Sequence, residues 1–248
     1  MEKLLASPIA HRGLHNSEFP ENSMAAFANA IEKGYNIEID VHLLKDGNVV
    51  VFHDSNTKRM TGKSASISKL TIEDIKGDEY LLPNGEHIPL FSELLELIDG
   101  KVALLVELKA LNFSAKLEKA VYKLIYGKQD WVFIQSFNPY TIKWFNKHAN
   151  EFIRGQLAIR PKNTFLNFIY FYVISGLSYK FGKYHFLAYD AKGVTYKRMA
   201  RLVKEKKIKL ALWTINNDEK LASAIEAKAD LIIFEHITPD TFLLSAAE

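Results

Sequence analysis

The sequence predicts an α/β protein folded as a (β/α)8 TIM barrel with a small insertion after the second strand. Short apolar runs alternate with helix-patterned segments along the whole 248-residue chain, and eight of these runs are typical of strands. Such alternation favours parallel strands joined by right-handed crossovers. A doubly wound open sheet is the competing architecture. The number of units and the lack of a glycine-rich loop after the first strand favour the barrel.

The eight predicted strands and seven predicted helices alternate along the chain. The strands are expected at residues 8–11, 36–41, 102–107, 131–135, 154–158, 186–189, 209–214 and 230–234. The helices are expected at residues 23–33, 91–98, 114–126, 139–148, 164–178, 195–206 and 218–227. Residues 55–89 are polar, are broken by Gly and Pro, and read as an insertion. With that insertion, we expect one domain over residues 1–248.

Composition excludes several classes of protein. The chain is 48% hydrophobic and 25% charged, as in a globular protein with a large core. The absence of cysteine excludes disulfides and thiolate metal sites. A net charge of +3 suits anionic small molecules, but the charge is too scattered to indicate nucleic acid. No signal peptide is visible and no apolar run reaches about 20 residues, so we expect a cytoplasmic protein.

One predicted β-hairpin concentrates ionisable residues. Asp46-Gly47 favours a two-residue type I′ turn. A turn centred there places Asp40 directly opposite His53, and Glu38 on the same face as Asp40 by the strand period of two. Glu38 and Asp40 are therefore expected to face the barrel interior, at the end where active sites form.

Neighbouring carboxylates in such an interior repel each other and are costly to desolvate. A divalent cation removes that cost, and oxygen ligands suit Mg²⁺ or Ca²⁺ better than Zn²⁺. A third acid, Glu107, ends the third predicted strand and shares a face with Lys109. The first strand ends at His11 and Arg12. Two histidines, an arginine and a cation suit phosphoryl chemistry, with one imidazole accepting a proton and the other donating one.

Each of these residues also has an interpretation without a catalytic or metal-binding role. An acidic pair on a strand is often a solvated edge, a histidine at a strand end is often merely exposed, and Glu107 with Lys109 could be a simple ion pair. Their convergence on one predicted rim favours a site. His42 shares the face of Glu38, which leaves it open as a ligand or a supporting group. The remaining histidines are expected at the surface: His15, His87, His148, His185 and His236.

Several motifs together resemble the glycerophosphodiester phosphodiesterase family. They are "AHRG" at 10–13, "PENS" at 20–23, "EIDV" at 38–41, "KDGNVVVFHD" at 45–54, "VELK" at 106–109 and "LWTIN" at 212–216. The similarity runs over nearly the whole chain in the family's order and spacing. It implies a phosphatidylinositol-phosphodiesterase-like barrel that uses a divalent metal to hydrolyse glycerophosphodiesters to sn-glycerol 3-phosphate and an alcohol.

The resemblance also implies a role for each matching residue. It makes His11 and His53 the general acid and base, without saying which is which. The other implied assignments are Glu38, Asp40 and Glu107 for the metal, Arg12 and Lys109 for the phosphate, Glu21 for support, Trp213 for the substrate pocket and Asn22 for the cap of the first helix. The chain differs from the family pattern at two places, which make the substrate less certain than the reaction. Phe234 and Glu235 stand where the family commonly has Thr-Asp, and His42 replaces a residue that is usually smaller or uncharged.

Three functions compete from the sequence. The leading one is a metal-dependent phosphodiesterase in which either water or the neighbouring glycerol hydroxyl attacks phosphorus. The second is a lysophospholipase D-type enzyme or a metal-independent phospholipase C-like enzyme. The third is a non-catalytic barrel that binds a lipid surface or a partner. Residues 165–177 bear on the choice of a lipid substrate, because ten of the thirteen are apolar and basic residues flank them. That run predicts either a homodimer contact or peripheral membrane contact.

Overall fold

The computed structural model describes residues 1–110, 114–159, 172–173, 176–193 and 197–239. Nine strands lie within them, and every predicted strand is present to within two residues at each end. The strands are β1 (Ile9–His11), β2 (Asn36–Leu43), β3 (Val49–Val51), β4 (Leu104–Leu108), β5 (Val132–Ser136), β6 (Arg154–Ala158), β7 (Phe186–Asp190), β8 (Lys209–Ile215) and β9 (Leu231–Phe234).

Eight of these strands form a closed parallel barrel. Strand β1 pairs in parallel with both β2 and β9, and β4 to β9 follow β2 in chain order. Strand β3 stands outside the barrel and pairs antiparallel with β2. The predicted (β/α)8 architecture is therefore confirmed, and the open-sheet alternative is wrong.

One short helix precedes the first strand, and the others lie between the strands of the barrel. They are α1 (Glu2–Leu5), α2 (Met24–Glu32), α3 (Lys58–Thr61), α4 (Ile72–Lys76), α5 (Phe91–Ile98), α6 (Lys116–Ile125), α7 (Pro139–His148), α8 (Leu177–Gly182), α9 (Lys197–Lys206) and α10 (Asp218–Glu226). Six predicted helices correspond to α2, α5, α6, α7, α9 and α10. The seventh, at 164–178, falls mainly outside the described residues.

The start of α2 differs from the prediction. Ser23 is the N-cap, and its side chain accepts a hydrogen bond from the backbone N–H of Ala26 at 3.1 Å. Asn22 instead adopts a left-handed backbone with φ of 55°, which asparagine tolerates better than most residues. Its side-chain Nδ2 then donates to Oδ2 of Asp40 at 3.3 Å. The assignment of Asn22 as the helix cap is therefore wrong, and its amide belongs to the barrel interior.

Side chains alternate between two apolar layers. Ile37, Ile39 and Val41 of β2 pack outward against the helices. The inward layer includes Leu105 and Phe133, and it also takes in Leu4 of α1, which is fully buried. Helix α1 therefore closes the amino-terminal end of the barrel and leaves the carboxyl ends of the strands for a site.

One glycine is required by close packing inside the barrel. A Cβ atom at Gly155 of β6 would lie 2.0 Å from Cε2 of Phe186, whose ring is fully buried. Glycine leaves that space to the aromatic ring of the neighbouring strand β7.

The β2–β3 hairpin has a different register from the one predicted. Val41 pairs with Val51, and the backbone N–H of Phe52 donates to the carbonyl of Asp40 at 2.9 Å. Residues 45–47 form a three-residue loop, closed by a hydrogen bond from the N–H of Leu44 to the carbonyl of Asn48 at 2.8 Å. Gly47 supplies the required left-handed residue with φ of 90°. The predicted pairing of Asp40 with His53 is therefore wrong by one residue.

Residues 55–89 carry α3, α4 and two single-turn 3₁₀ helices. A small apolar cluster joins this segment to the hairpin: Leu44, Val50, Phe52, Ile67, Leu70, Ile75, Tyr80, Leu82 and Ile88. The segment therefore packs directly beside the strand that bears Glu38 and Asp40.

Most of the apolar run at 165–177 lies outside the described residues, so its predicted dimer or membrane contact stays a prediction. Across the part of the chain that is described, no helix combines the length and apolar character needed to cross a bilayer.

Candidate active site

Three carboxylates meet at the carboxyl end of the barrel. Glu38 and Asp40 come from β2, and the register places Asp40 beside Glu107 of β4. One oxygen of each lies within 4.8 Å of the others, and all three side chains are buried. The strand period of two brings Glu38 and Asp40 to the same inward face.

Two cationic side chains partly compensate this negative charge. Nζ of Lys109 lies 2.9 Å from Oδ1 of Asp40 and 2.7 Å from Oε1 of Glu107. Nε of Arg12 lies 3.3 Å from Oδ2 of Asp40, and the backbone N–H of Arg12 donates to Oε2 of Glu38 at 3.3 Å. Two cations facing three carboxylates leave the cluster one positive charge short.

The shifted pKa values follow from this uneven compensation. Burial and repulsion from Asp40 and Glu107 raise the pKa of Glu38 well above its ordinary value. Burial likewise raises the pKa of Glu107 to about 7, although Lys109 opposes the shift. Burial alone would raise the pKa of Asp40, but the charge of Lys109, with those of His53 and Arg12, lowers it to about 2. The raised pKa values of Glu38 and Glu107 therefore favour their protonated forms, whereas Asp40 stays ionised.

The two predicted catalytic histidines each have a carboxylate partner. Nδ1 of His11 lies 3.1 Å from Oε2 of Glu235, and Nε2 lies 3.9 Å from Oε2 of Glu38. Nδ1 of His53 lies 2.7 Å from Oδ1 of Asp54. An ionised carboxylate can only accept hydrogen bonds, so Nδ1 is the protonated nitrogen of each neutral imidazole ring. Nε2 of each ring is then the nitrogen that can exchange a proton with a substrate. His53 reaches the site from the loop after β3, and its charge interacts with Asp40.

A chain of ion pairs joins His53 to Arg12 through the insertion. Nε of Arg59 in α3 lies 2.7 Å from Oδ2 of Asp54, and Nη2 lies 2.6 Å from Oε1 of Glu21. The same Oε1 accepts a hydrogen bond from Nη1 of Arg12 at 2.8 Å. One arginine thus holds the partner of His53 and the partner of Arg12 in fixed relation.

An open cleft of about 770 Å³ lies in front of these groups. Its lining residues are His53, Asp54, Ser55, Asn56, Lys58, Arg59 and Lys109. Trp213, on the inward layer of β8, packs edge-to-face against Phe137 with 5.7 Å between ring centroids. The tryptophan therefore contributes an apolar wall at the same end of the barrel.

Two buried amide side chains complete the polar environment of the carboxylates. Nε2 of Gln135 donates to Oε1 of Glu38 at 3.1 Å, and Nδ2 of Asn22 donates to Asp40. The oxygen of each amide is buried and has no hydrogen-bond partner within the described ranges. Buried acceptors without donors are costly, and a hydrated cation supplies what they lack. The all-oxygen donor set therefore fits a hard divalent cation such as Mg²⁺ or Ca²⁺.

Comparison with known proteins shows which family has similar sequences. Residues 11–238 match the glycerophosphoryl diester phosphodiesterase family. The chain is 31% identical over 261 aligned residues to a glycerophosphodiester phosphodiesterase of Caldanaerobacter subterraneus subsp. tengcongensis, with 95% of each covered. The chain belongs to this family. The resemblance seen in the motifs and the expectation of a phosphodiesterase enzyme are both confirmed.

Solved structures agree on the fold of this family member. A glycerophosphodiester phosphodiesterase of Thermotoga maritima superposes with a TM-score of 0.73 at 22% identity, covering 98% of each chain. An Oleispira antarctica phosphodiesterase in complex with the product sn-glycerol-3-phosphate gives a TM-score of 0.74 at 23% identity, with 98% and 97% covered. At these identities the structures support the barrel architecture.

Three residues that support the site are not among those predicted from the sequence. Glu235 holds His11, Gln135 holds Glu38, and Arg59 joins Asp54 to Glu21. A signal existed for Gln135, which is a polar residue at the end of the apolar strand β5. From the sequence, Glu235 is visible only as a departure from the family pattern, and no local pattern indicates a role for Arg59.

The other histidines divide into two groups. His148 and His236 are exposed, as predicted, but His15, His87 and His185 are mostly buried, so their assignment to the surface is wrong. His42 is buried and its Nε2 lies 3.1 Å from the carbonyl oxygen of His53. It therefore supports the backbone of His53 and lies outside the carboxylate cluster.

Proposed function

We propose that this protein hydrolyses glycerophosphodiesters to sn-glycerol 3-phosphate and an alcohol with the help of one divalent cation. The observation that carries the proposal is the buried set of Glu38, Asp40 and Glu107 with two histidines beside it. His11 lies next to Glu38, and His53 interacts electrostatically with Asp40. Family membership supports the same reaction.

The cation would be held by Glu38, Asp40 and Glu107. When bound, it would polarise the phosphate and offset the negative charge that develops on its oxygens. Arg12 and Lys109 face the same carboxylates and are placed to bind the phosphate oxygens by charge-assisted hydrogen bonds. The wall formed by Trp213 and Phe137 would limit the orientation of the substrate.

We assign His53 as the general base and His11 as the general acid. Burial lowers the pKa of His53, which favours the neutral ring that a base requires at the start of the reaction. Asp54 fixes its tautomer so that Nε2 accepts the proton of the attacking oxygen. Glu235 lies 3.1 Å from Nδ1 of His11 and orients the ring, so that Nε2 would be the atom that gives a proton to the departing alcohol. The pKa of Glu235 is itself lowered by hydrogen bonding from His11, so the carboxylate stays ionised.

The test is release of glycerol 3-phosphate from glycerophosphocholine with Mg²⁺, with Ca²⁺ and with EDTA. We expect turnover with a divalent cation, loss of turnover in EDTA and recovery when the cation is restored. A parallel series with other head groups and a lysolipid measures substrate preference. Phosphodiester cleavage that persists in EDTA would instead support the phospholipase C-like alternative.

His11→Ala and His53→Ala each remove one proton-transfer group, and we expect each to lower kcat on glycerophosphocholine by about 100-fold or more. His148→Ala is the matched control, because that histidine is exposed on α7 away from the site. Near-normal turnover in either active-site variant would contradict the proposed roles.

A further inference from the structure

A second group of metal-ligating side chains lies beside the proposed active site. It consists of His15 in the loop after β1, with Glu235 and His236 just after β9. One donor atom of each lies within 4.8 Å of the others. None of the three belongs to the carboxylate set of Glu38, Asp40 and Glu107.

The donors converge on one carboxylate oxygen. Nε2 of His236 lies 3.1 Å from Oε1 of Glu235, and Nε2 of His15 lies 3.4 Å from the same oxygen. Two ligands at about 2.1 Å from a tetrahedral ion are themselves separated by about 3.4 Å. The imidazole rings meet edge-to-face, with centroids 4.9 Å apart and planes at 79°. The two Nε2 atoms thus lie close to that separation from the oxygen.

His15 gives an independent indication that a ligand is missing. Its side chain is only 10% exposed, yet the buried Nε2 atom makes no hydrogen bond to any residue of the described segments. The 3.4 Å approach to Glu235 is an ion-pair distance without hydrogen-bond alignment. A buried imidazole nitrogen normally finds a partner, because leaving it without one costs free energy.

We propose that His15, Glu235 and His236 form a second cation site, selective for a transition metal of the Zn²⁺ class. Two imidazoles and one carboxylate suit Zn²⁺ and its neighbours, whereas the oxygen-only set of Glu38, Asp40 and Glu107 suits Mg²⁺ or Ca²⁺. Three protein ligands leave a coordination position for water. His236 is 56% exposed, so the site opens to solvent and an ion has a path into it.

The site is coupled to His11 through a shared side chain. Oε1 of Glu235 faces the two Nε2 atoms, while Oε2 faces Nδ1 of His11. An ion on Oε1 would draw charge from the carboxylate that orients His11, as groups next to metal ligands commonly do. Excess Zn²⁺ should therefore lower turnover in the presence of saturating Mg²⁺, an effect that rests on the proposed function.

The deciding experiment is equilibrium dialysis of the untagged full chain against Zn²⁺ in saturating Mg²⁺. We expect one Zn²⁺ per wild-type chain, and an affinity at least 10-fold weaker in His236→Ala and in His15→Ala. Asp40→Asn, which disables the first site, should still bind Zn²⁺, and His148→Ala is the unaltered control. His236 is exposed, so its variant should fold normally, and thermal unfolding checks each variant.

Co²⁺ offers a second readout that needs no turnover. Imidazole ligands in a low-coordinate site give visible absorption bands that are much stronger than those of a six-coordinate oxygen site. Those bands should appear in wild type and in Asp40→Asn but disappear in His236→Ala. The proposal is overturned if wild type binds no Zn²⁺ beside Mg²⁺, or if Asp40→Asn removes Zn²⁺ binding while His236→Ala leaves it intact. Because neither measurement uses the reaction, failure of the proposed hydrolysis would leave these outcomes readable.

Discussion

Nη2 of Arg59 lies 2.6 Å from Oε1 of Glu21, so a residue of the insertion is tied directly to the partner of Arg12. The same guanidinium holds Asp54, which in turn orients His53. The insertion therefore acts on the site through one side chain that contacts neither the carboxylate cluster nor the proposed catalytic histidines.

Arg59→Ala should lower kcat by about 10-fold, as loss of a supporting group typically does. Its side chain is 47% exposed, so we expect the free energy of unfolding to fall by less than about 1 kcal/mol. The measurements are steady-state kinetics with a pH profile, and urea denaturation. Arg59→Lys should recover part of kcat. Lys63→Ala, which breaks an exposed pair with Glu79 in the same insertion, is the control. An unchanged kcat and pH profile in Arg59→Ala would show that the ion-pair chain has no positioning role.

The assignment of acid and base predicts a dependence on the leaving group. A p-nitrophenyl ester of glycerol phosphate releases p-nitrophenolate, which needs no proton to depart. The choline or alkyl alcohol of a natural diester must instead be protonated as it departs. His11→Ala should therefore keep substantial activity on the p-nitrophenyl ester but lose it on glycerophosphocholine. His53→Ala should lose activity on both. The comparison is made by kcat/KM on the two substrates, and the reverse pattern would exchange the two roles.

Removal of the cation should abolish turnover because three buried carboxylates would then carry protons or repel one another. Asp40→Asn should weaken Mg²⁺ binding by at least 10-fold, measured by isothermal titration calorimetry. Glu79→Gln changes an exposed carboxylate and is the matched control. Equal Mg²⁺ affinity in Asp40→Asn and wild type would place the cation elsewhere.

Glu107 should make the stability of the cation-free protein depend on pH. Burial raises its pKa from 4.5 to about 7, so the folded protein binds more protons than the unfolded chain between these values. The stabilising contribution is complete below pH 4.5 and is lost as the pH rises to about 7, an interval worth roughly 3 kcal/mol. Asp40, with its lowered pKa, acts in the opposite sense, but only below pH 4.

The measurement for Glu107 is urea denaturation in EDTA at pH 5 and pH 7.5. Wild type should lose more unfolding free energy over this range than Glu107→Gln, in which the titrating group is absent. Addition of Mg²⁺ should diminish the difference. Parallel pH dependence in the two proteins would mean that Glu107 titrates normally.

Gly155→Ala should destabilise the barrel. The added methyl group would lie 2.0 Å from the ring of Phe186, which is enclosed by the inward layer. Overpacking of this kind costs about 1–3 kcal/mol. Gly77→Ala is the control, since a Cβ there meets backbone oxygens at an ordinary 3.5 Å. Equal melting temperatures for the two variants would show that the Phe186 ring moves aside without cost.

The sequence predicted the features that depend on local periodicity. Ile37, Ile39 and Val41 alternate with Glu38 and Asp40, and that alternation determines which side chains enter the barrel. The predicted register of the hairpin is wrong because Asp46-Gly47 is compatible with two loop lengths, and a change of one residue in the loop alters the register. The loop of residues 45–47 uses Gly47 alone in the left-handed region.

Contacts between residues that are far apart along the chain could not be predicted from local periodicity. Glu235 is 224 residues from His11 along the chain, and closure of the barrel by β9 brings them together. Arg59 reaches Glu21 across 38 residues through the packing of the insertion. Asn22 was misread because it immediately precedes a better cap, Ser23, and its own left-handed backbone turns it toward Asp40.

Helix α1 fills the amino-terminal end of the barrel with Leu4, whereas the open cleft lined by His53 and Lys109 lies at the carboxyl end. We therefore expect substrate and products to exchange through this cleft, past the positive charge of Lys109. The same charge that attracts a phosphodiester would then slow departure of the phosphorylated product, so that product release contributes to the turnover rate.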